Sequence, residues 1–376
     1  MNATTASAVS AERTAATAVG RMDAVDLARG IAVALMILSH GVNGLLPFDD
    51  FTDWGLVPVH AVTKVASTLF FIVFGVALGI AFVPKTNRPD WAQRRNRLLL
   101  RGLLILFWYK ALTVIEMYGQ HSRGEIADTL LYRDFPSYVE VLGFYAVALL
   151  WLPWLLPLWA RTPAWLRWSS PLLLAGLSWW LLRHFDFWGV PQLQALLVEH
   201  PDYYTWGQLA RGPLVLLGLL IGGLLLPRYR DAGQRIALAG ALAAIGAVLL
   251  VLFQQLAGAG REEVLQSIAR NAGKHPPELM FMLFSMGGAL LLLALSLAGG
   301  QALARLLRPL TIIGTNALMA FIFHITVIFV LFRDALGYLH AVSYPYALAL
   351  TLLLIAATSL WIWLWERMWA MWRRKR

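Results

Sequence analysis

Apolar stretches alternate with short polar connections along almost the whole chain, at about 26–47, 57–82, 98–118, 138–159, 169–183, 206–227, 235–258, 278–299, 309–332 and 344–369. About twenty apolar residues in a helix rising 1.5 Å per residue cross a hydrocarbon core ~30 Å thick. The pattern therefore predicts an all-α polytopic transmembrane bundle of about ten spans, each satisfying its own backbone hydrogen bonds. The run 169–183 is the weakest, being short and ending in Trp179, Trp180 and Arg183, so a smaller count stays open.

Composition strengthens this picture. Of 376 residues 59% are hydrophobic and 14% charged, against roughly 25% charged in soluble domains. The net charge of +10 would suit nucleic acid, but the arginines fall in short clusters between apolar runs and form no basic face. The absence of cysteine excludes disulfides, thiol chemistry and cysteine-ligated metal. Residues 1–20 are small and polar without the apolar segment of a cleavable signal peptide, and read as a disordered cytosolic tail. The Asn2-Ala3-Thr4 sequon there reads as a chance match. Residues 21–370 read as a single transmembrane domain and 371–376 as a basic cytosolic tail. No convincing internal repeat marks a transporter.

Charge sets the expected orientation, since short cytosolic loops retain Lys and Arg. One side holds Arg13, Arg21, the cluster Lys85 to Arg101, Arg161, Arg167, Arg228, Arg230, Arg235, Arg305, Arg308 and the terminal Arg373-Arg374-Lys375-Arg376. The first loop of the other side has Asp49, Asp50 and Asp53 with no Lys or Arg. Both termini are thus expected in the cytosol. The non-cytosolic loops, about 119–137, 184–205 and 259–277, are longer and offer His121, His184, His200, Tyr203, Tyr204 and His275, as an acceptor surface or as ordinary solvated loop.

Ionisable groups inside spans are costly and mark candidate sites. They are Asp26, Arg29, His40, Lys64, Lys110, Glu116, Glu140, Arg211, His324 and Glu366. Lys110, Glu116, Arg211 and Glu366 lie near span ends, where they are expected to reach headgroups. Arg29 and His40 are different. Eleven residues apart on the first span, they fall within about 20° of one helix face and roughly 16 Å apart along its axis. Asp26, three residues before Arg29, is placed to orient the guanidinium. That stripe suits an anionic donor held at one mouth and an imidazole acting deeper in. A structural Asp26–Arg29 pair with His40 as a packing residue is the alternative.

The run Asp26-Leu27-Ala28-Arg29-Gly30-Ile31-Ala32, then Met36 and His40, resembles the opening helix of the heparan-alpha-glucosaminide N-acetyltransferase-like proteins and the wider acyltransferase family three superfamily. Arg-x10-His is that superfamily's signature. Further similarity lies in Ser67-Thr68-Leu69-Phe70-Phe71 to Gly75, Tyr138 to Tyr145, Lys274-His275-Pro276-Pro277 leading into Met286-Gly287, and Gly314 to His324. With its histidine inside the helix, the chain is more similar to bacterial relatives than to the animal lysosomal enzymes. The resemblance implies a multispan enzyme of the bacterial cytoplasmic membrane that moves an acyl group, acetyl above all, from cytosolic acyl-coenzyme A to a sugar hydroxyl or amine of an envelope glycan or glycolipid. Acyl-coenzyme A would be a co-substrate, with no tightly bound cofactor or metal. His40 would be catalytic, with Arg29 and Asp26 as its partners.

Acyl transfer from a thioester needs a base for the acceptor and donors at the developing oxyanion. His40 is a plausible base, and Lys64, Asn316 and His324 are candidate donors, although Asn316 and His324 could equally bond between helices. Lys274 and His275 are candidate substrate-binding residues. Arg94-Arg95-Asn96-Arg97 with Arg101 could attract coenzyme A phosphates or anionic lipid. A transporter of a small metabolite or lipid-linked sugar remains the main rival reading, and a noncatalytic scaffold has no positive support. Oligomeric state, a homo-oligomer included, is left open.

Overall fold

The computed structural model describes residues 22–47 and 57–374. The tail 1–20, the acidic first-loop residues Asp49, Asp50 and Asp53, and Lys375 and Arg376 lie outside the described residues.

Helix α1 (Asp23–Leu45) opens with Asp23 and Asp26 in its first turn, where acidic groups complement the helix dipole. It stops before Pro47, which disfavours helix at the residue preceding it. Leu27, Ala28, Ala32, Val33 and Ile37 are completely buried, so α1 is a central helix and not a lipid-facing one. The chain continues through α2 (Val57–Thr63), α3 (Val65–Ala81), α4 (Trp91–Met117), the short α5 (Arg123–Leu130), α6 (Glu140–Arg161), α7 (Ala164–His184) and the short α8 (Pro191–Val198). After these come α9 (Gln208–Arg228), α10 (Ala232–Ala257), the short α11 (Arg261–Ala269) and α12 (Leu279–Leu306). The penultimate span is approached by α13 (Arg308–Thr315) and built from α14 (Ala317–Thr326) and a π-helical segment Val327–Ala335, before α15 (Tyr344–Arg374), itself a span, closes the chain.

Nine helices among the described residues are long and apolar enough to cross a membrane. The expected run 169–183 is the one that falls short. It forms α7, 21 residues long, which packs along α9 but carries Arg167, Arg183 and His184 within its length. Leu172, Leu173, Trp179 and Trp180 of α7 are exposed, as are Leu100, Leu103, Leu104 and Phe107 of α4. These outward apolar faces belong against lipid tails, where burial inside the protein is not required.

Two seams bring backbones into direct contact. Gly75 of α3 meets Gly218 of α9 with a built Cβ only 2.8 Å from the opposing Cα, and Gly79 meets Gly222 one turn further along. Gly30 of α1 lies against the Leu310 carbonyl of α13, while Gly314 lies against the Asp26 carbonyl. Small residues at such crossings let membrane helices gain packing contacts that larger side chains would hold apart.

The first and last helices run antiparallel. Thr351 packs against Gly41, whereas Glu366 meets the Thr315 hydroxyl at 3.2 Å, beside the Gly30–Gly314 crossing. The molecule therefore has an Arg29 end, shared by the start of α1 and the end of α15, and a His40 end, where the longer connections gather.

Candidate functional site

Both α1 residues face internal cavities. At the Arg29 end, the guanidinium Nη1 donates to Asp26 Oδ1 at 3.1 Å and to the Gly314 carbonyl at 3.0 Å. Gly314 belongs to the last turn of α13, whose carbonyls lack partners within their own helix, and the arginine satisfies one of them. Arg29 and Arg101 line a cavity of about 260 Å3 with Phe70, Tyr145, Thr315 and Phe321.

At the other end of the stripe, His40 lines a larger cavity of about 600 Å3 with Asn43, Tyr138, Glu140, Tyr204 and Lys274. His40 Nδ1 is 3.1 Å from His324 Nε2, and His324 Nδ1 is 2.6 Å from the Ala320 carbonyl. A carbonyl only accepts, so His324 carries its proton on Nδ1 and presents a lone pair at Nε2. His40 must then donate from Nδ1. The hydrogen-bond chain thereby assigns the tautomer of His40 and leaves the lone pair of its Nε2 as the available base. His324 sits just before the π-helical segment, a local widening that recurs at functional sites. Tyr138 packs edge-on to the His40 ring with centroids 5.5 Å apart.

Aromatic rings of the smaller cavity lie about one helical turn from residues that line the larger one, Phe70 from Ser67 and Tyr145 from Val141. Phe70 packs on Tyr145 at 4.9 Å and on Phe321 at 6.0 Å between ring centroids. The Tyr145 hydroxyl fastens this arrangement by donating to the Phe70 carbonyl at 2.9 Å.

The far wall of the larger cavity rests on a buried ionic cluster. Arg211 and Glu199 are almost inaccessible and bond through Nε and Oε1 at 2.6 Å and through Nη2 and Oε2 at 3.3 Å. His275 Nδ1 reaches the same carboxylate at 3.0 Å, and Arg211 also donates to the Lys274 carbonyl. Burial pushes the Glu199 carboxyl up, but Arg211 and then His275 bring it below its ordinary value. Burial lowers His275 to about 4, with Glu199 opposing. Lys274 is lowered to about 8, first by burial and then by Arg211. The cluster pins the 270–278 connection so that the Lys274 ammonium reaches the Tyr204 hydroxyl at the cavity wall.

Expected site residues thus separate into three groups. Asp26, Arg29 and Arg101 belong to the smaller cavity, and His40 and Lys274 to the larger. Lys64 and His324 stand just behind that cavity, Lys64 bonding Asn271 Oδ1 at 2.8 Å. His275 serves the ionic cluster and does not line the cavity. Asn316 marks the break between α13 and α14 at the Arg29 level, eight residues and roughly 12 Å of helix from His324, too far to donate to an oxyanion at His40.

Arg211 corrects the expectation of a boundary residue reaching headgroups, since Glu199 holds it inside. Glu116 likewise turns inward, accepting from the Ser137 and Tyr138 amides at 2.7 and 3.1 Å. Glu140 was marked only as an ionisable group within a span, Tyr204 only as a residue of a long loop and Tyr138 only as the start of a resembling run, and Asn271 was not singled out. A buried glutamate inside an apolar run was the available signal for the first.

A family model described as an acyltransferase domain, that of acyltransferase family three, matches residues 22–366. No curated protein matches the chain.

Proposed function

The chain belongs to the acyltransferase family three, and on that premise we propose that it acylates a sugar hydroxyl or amine across the membrane. Acyl-coenzyme A, acetyl-coenzyme A in the simplest case, enters at the Arg29 end, and the acceptor, an envelope glycan or glycolipid, reaches His40 from the other. The Arg29 end is read as cytosolic from its arginine-rich connections, which puts the acceptor outside a bacterial cytoplasmic membrane.

The observation carrying this reading is the lone pair assigned to His40 Nε2 in a cavity with room for a sugar ring. His40 takes the acceptor's proton as its oxygen or nitrogen attacks the thioester carbonyl. The new acyl bond forms, the C–S bond breaks, and the proton passes from His40 to the departing thiolate. Arg29, fixed by Asp26 and the Gly314 carbonyl, holds the donor by a planar, charge-assisted contact.

The test uses protein-containing vesicles with radiolabelled acetyl-coenzyme A on the Arg29 side. Wild type should consume the thioester and label a far-side acceptor, His40→Ala should lose that activity by roughly a hundredfold or more, and Arg29→Lys should be impaired despite its charge. Equal consumption by wild type and His40→Ala would refute the histidine assignment. Solute movement without consumption of any thioester would favour transport.

A further inference from the structure

Resting on that reading but going beyond it, the larger cavity holds more positive charge than its protein partners balance. Lys64 is buried at 3% exposure, and among the described residues its amino group bonds only the neutral Asn271 Oδ1. Among the described residues the Lys274 ammonium bonds only the Tyr204 hydroxyl, and it also lies 5.0 Å from the centre of the Trp206 ring. Neither lysine forms a salt bridge among the described residues. Each ammonium has three donors, so two on each have no partner among the described residues. Arg270 adds an exposed guanidinium at the cavity lining.

The carboxylates nearby do not restore the balance. Glu199 is already matched by Arg211. Glu140 is the carboxylate among the described lining residues, facing the cationic Lys274 and Arg270, while Lys64 adds a third basic group just behind the lining, bonded to Asn271. A desolvated ammonium without a counter-charge is expensive, and removing solvent raises the benefit of supplying one. With its proton held until about pH 8, Lys274 is largely charged at neutrality. The cavity also presents two buried acceptors without partners among the described residues, Asn43 Oδ1 and Glu140 Oε1, so hydroxyl donors and an anion can be accommodated together.

We propose that Lys64 and Lys274, with Arg270 at the lining, form an anion subsite beside His40 that takes a carboxylate or phosphate carried by one of the two reactants. The anion belongs either to an acidic acceptor, such as a uronate- or phosphate-bearing sugar, or to the far end of an acyl chain that terminates in a carboxylate. Both would place the charge on the same ammonium groups while the reacting carbonyl or hydroxyl meets His40.

Binding is tested first, without turnover. The purified full chain in detergent is melted with inorganic phosphate or succinate, against chloride at equal ionic strength. A saturable rise in Tm is expected for wild type, for Lys274→Arg and for Lys110→Met, whose lysine bonds the Thr129 carbonyl outside this cavity. The rise should vanish in the Lys64→Met/Lys274→Met double variant. No rise in wild type, or the same rise in the double variant, would overturn the subsite.

A second arm finds the source of the charge. Acetyl-coenzyme A with a glucuronate-bearing oligosaccharide and succinyl-coenzyme A with a neutral oligosaccharide are each compared with acetyl-coenzyme A and the neutral oligosaccharide. One anionic combination should show about tenfold or greater preference in kcat/KM, lost in Lys274→Met, because hydrogen bonds to charged groups are the stronger class. Equal turnover of all three would overturn the proposal. If wild type consumes no thioester, the acyltransferase reading fails, and the melting arm alone decides the subsite.

Discussion

An imidazole that accepts a proton becomes a cation, and its surroundings decide how readily it does so. His40 is backed by the neutral Nε2 of His324 and, through it, by the Ala320 carbonyl. This relay orients the ring and offers dipoles to the developing cation, much as a carboxylate partner does in other histidine bases. His324→Leu should therefore lower kcat about tenfold to a thousandfold with little change in donor KM. His324→Gln, whose amide oxygen can accept from His40 Nδ1, should recover part of the loss. A raised KM with unchanged kcat in steady-state assays would instead make His324 a packing residue. Arg29 and His40 could be paired from sequence because one helix's geometry relates them. His324 lies 284 positions from His40, and only the tertiary fold reveals the relay. Arg211 was misread for a similar reason. Its counter-ion Glu199 comes from a preceding connection, so a buried pair looked like an isolated charge near a span end.

At the scale of elements, α3 and α9 are joined by glycines whose missing side chains are the interface. Gly75→Val would drive a branched side chain into the α9 backbone and should lower the thermal unfolding midpoint sharply, overpacking alone costing ~1–3 kcal/mol. Gly223 of α9 provides the control, since a Cβ there meets open space. Gly223→Ala should be neutral or stabilising, by up to ~1 kcal/mol from helix propensity. Similar melting curves for the two variants would contradict the seam. The helices themselves were largely legible, because an apolar run about as long as the bilayer is thick leaves few alternatives. The run at 169–183 was marginal for a reason that persists in three dimensions. Its helix is long enough, but charged residues near both ends dilute its apolar character. The break at Asn316 before the penultimate span and that span's π-helical continuation were not legible, since both preserve the hydrophobic pattern while changing the hydrogen bonding.

At the scale of the whole molecule, the packed rings that line the Arg29 cavity on its way toward His40 come from three separate elements: Phe70 from α3, Tyr145 from α6 and Phe321 from α14. On the proposed reading an acyl group passes these rings, which would also continue the bilayer's insulation through the protein. Replacing the largest contact among them, as in Phe70→Ala, should let protons cross vesicles measurably faster, read by a trapped pH-sensitive dye, while unchanged permeability would place the barrier elsewhere. If the proposed transfer across the membrane holds, the packed rings would bear on the cell's energy economy as well as on chemistry. With them in place, export of an acyl group would not need to short-circuit the voltage that the same membrane stores.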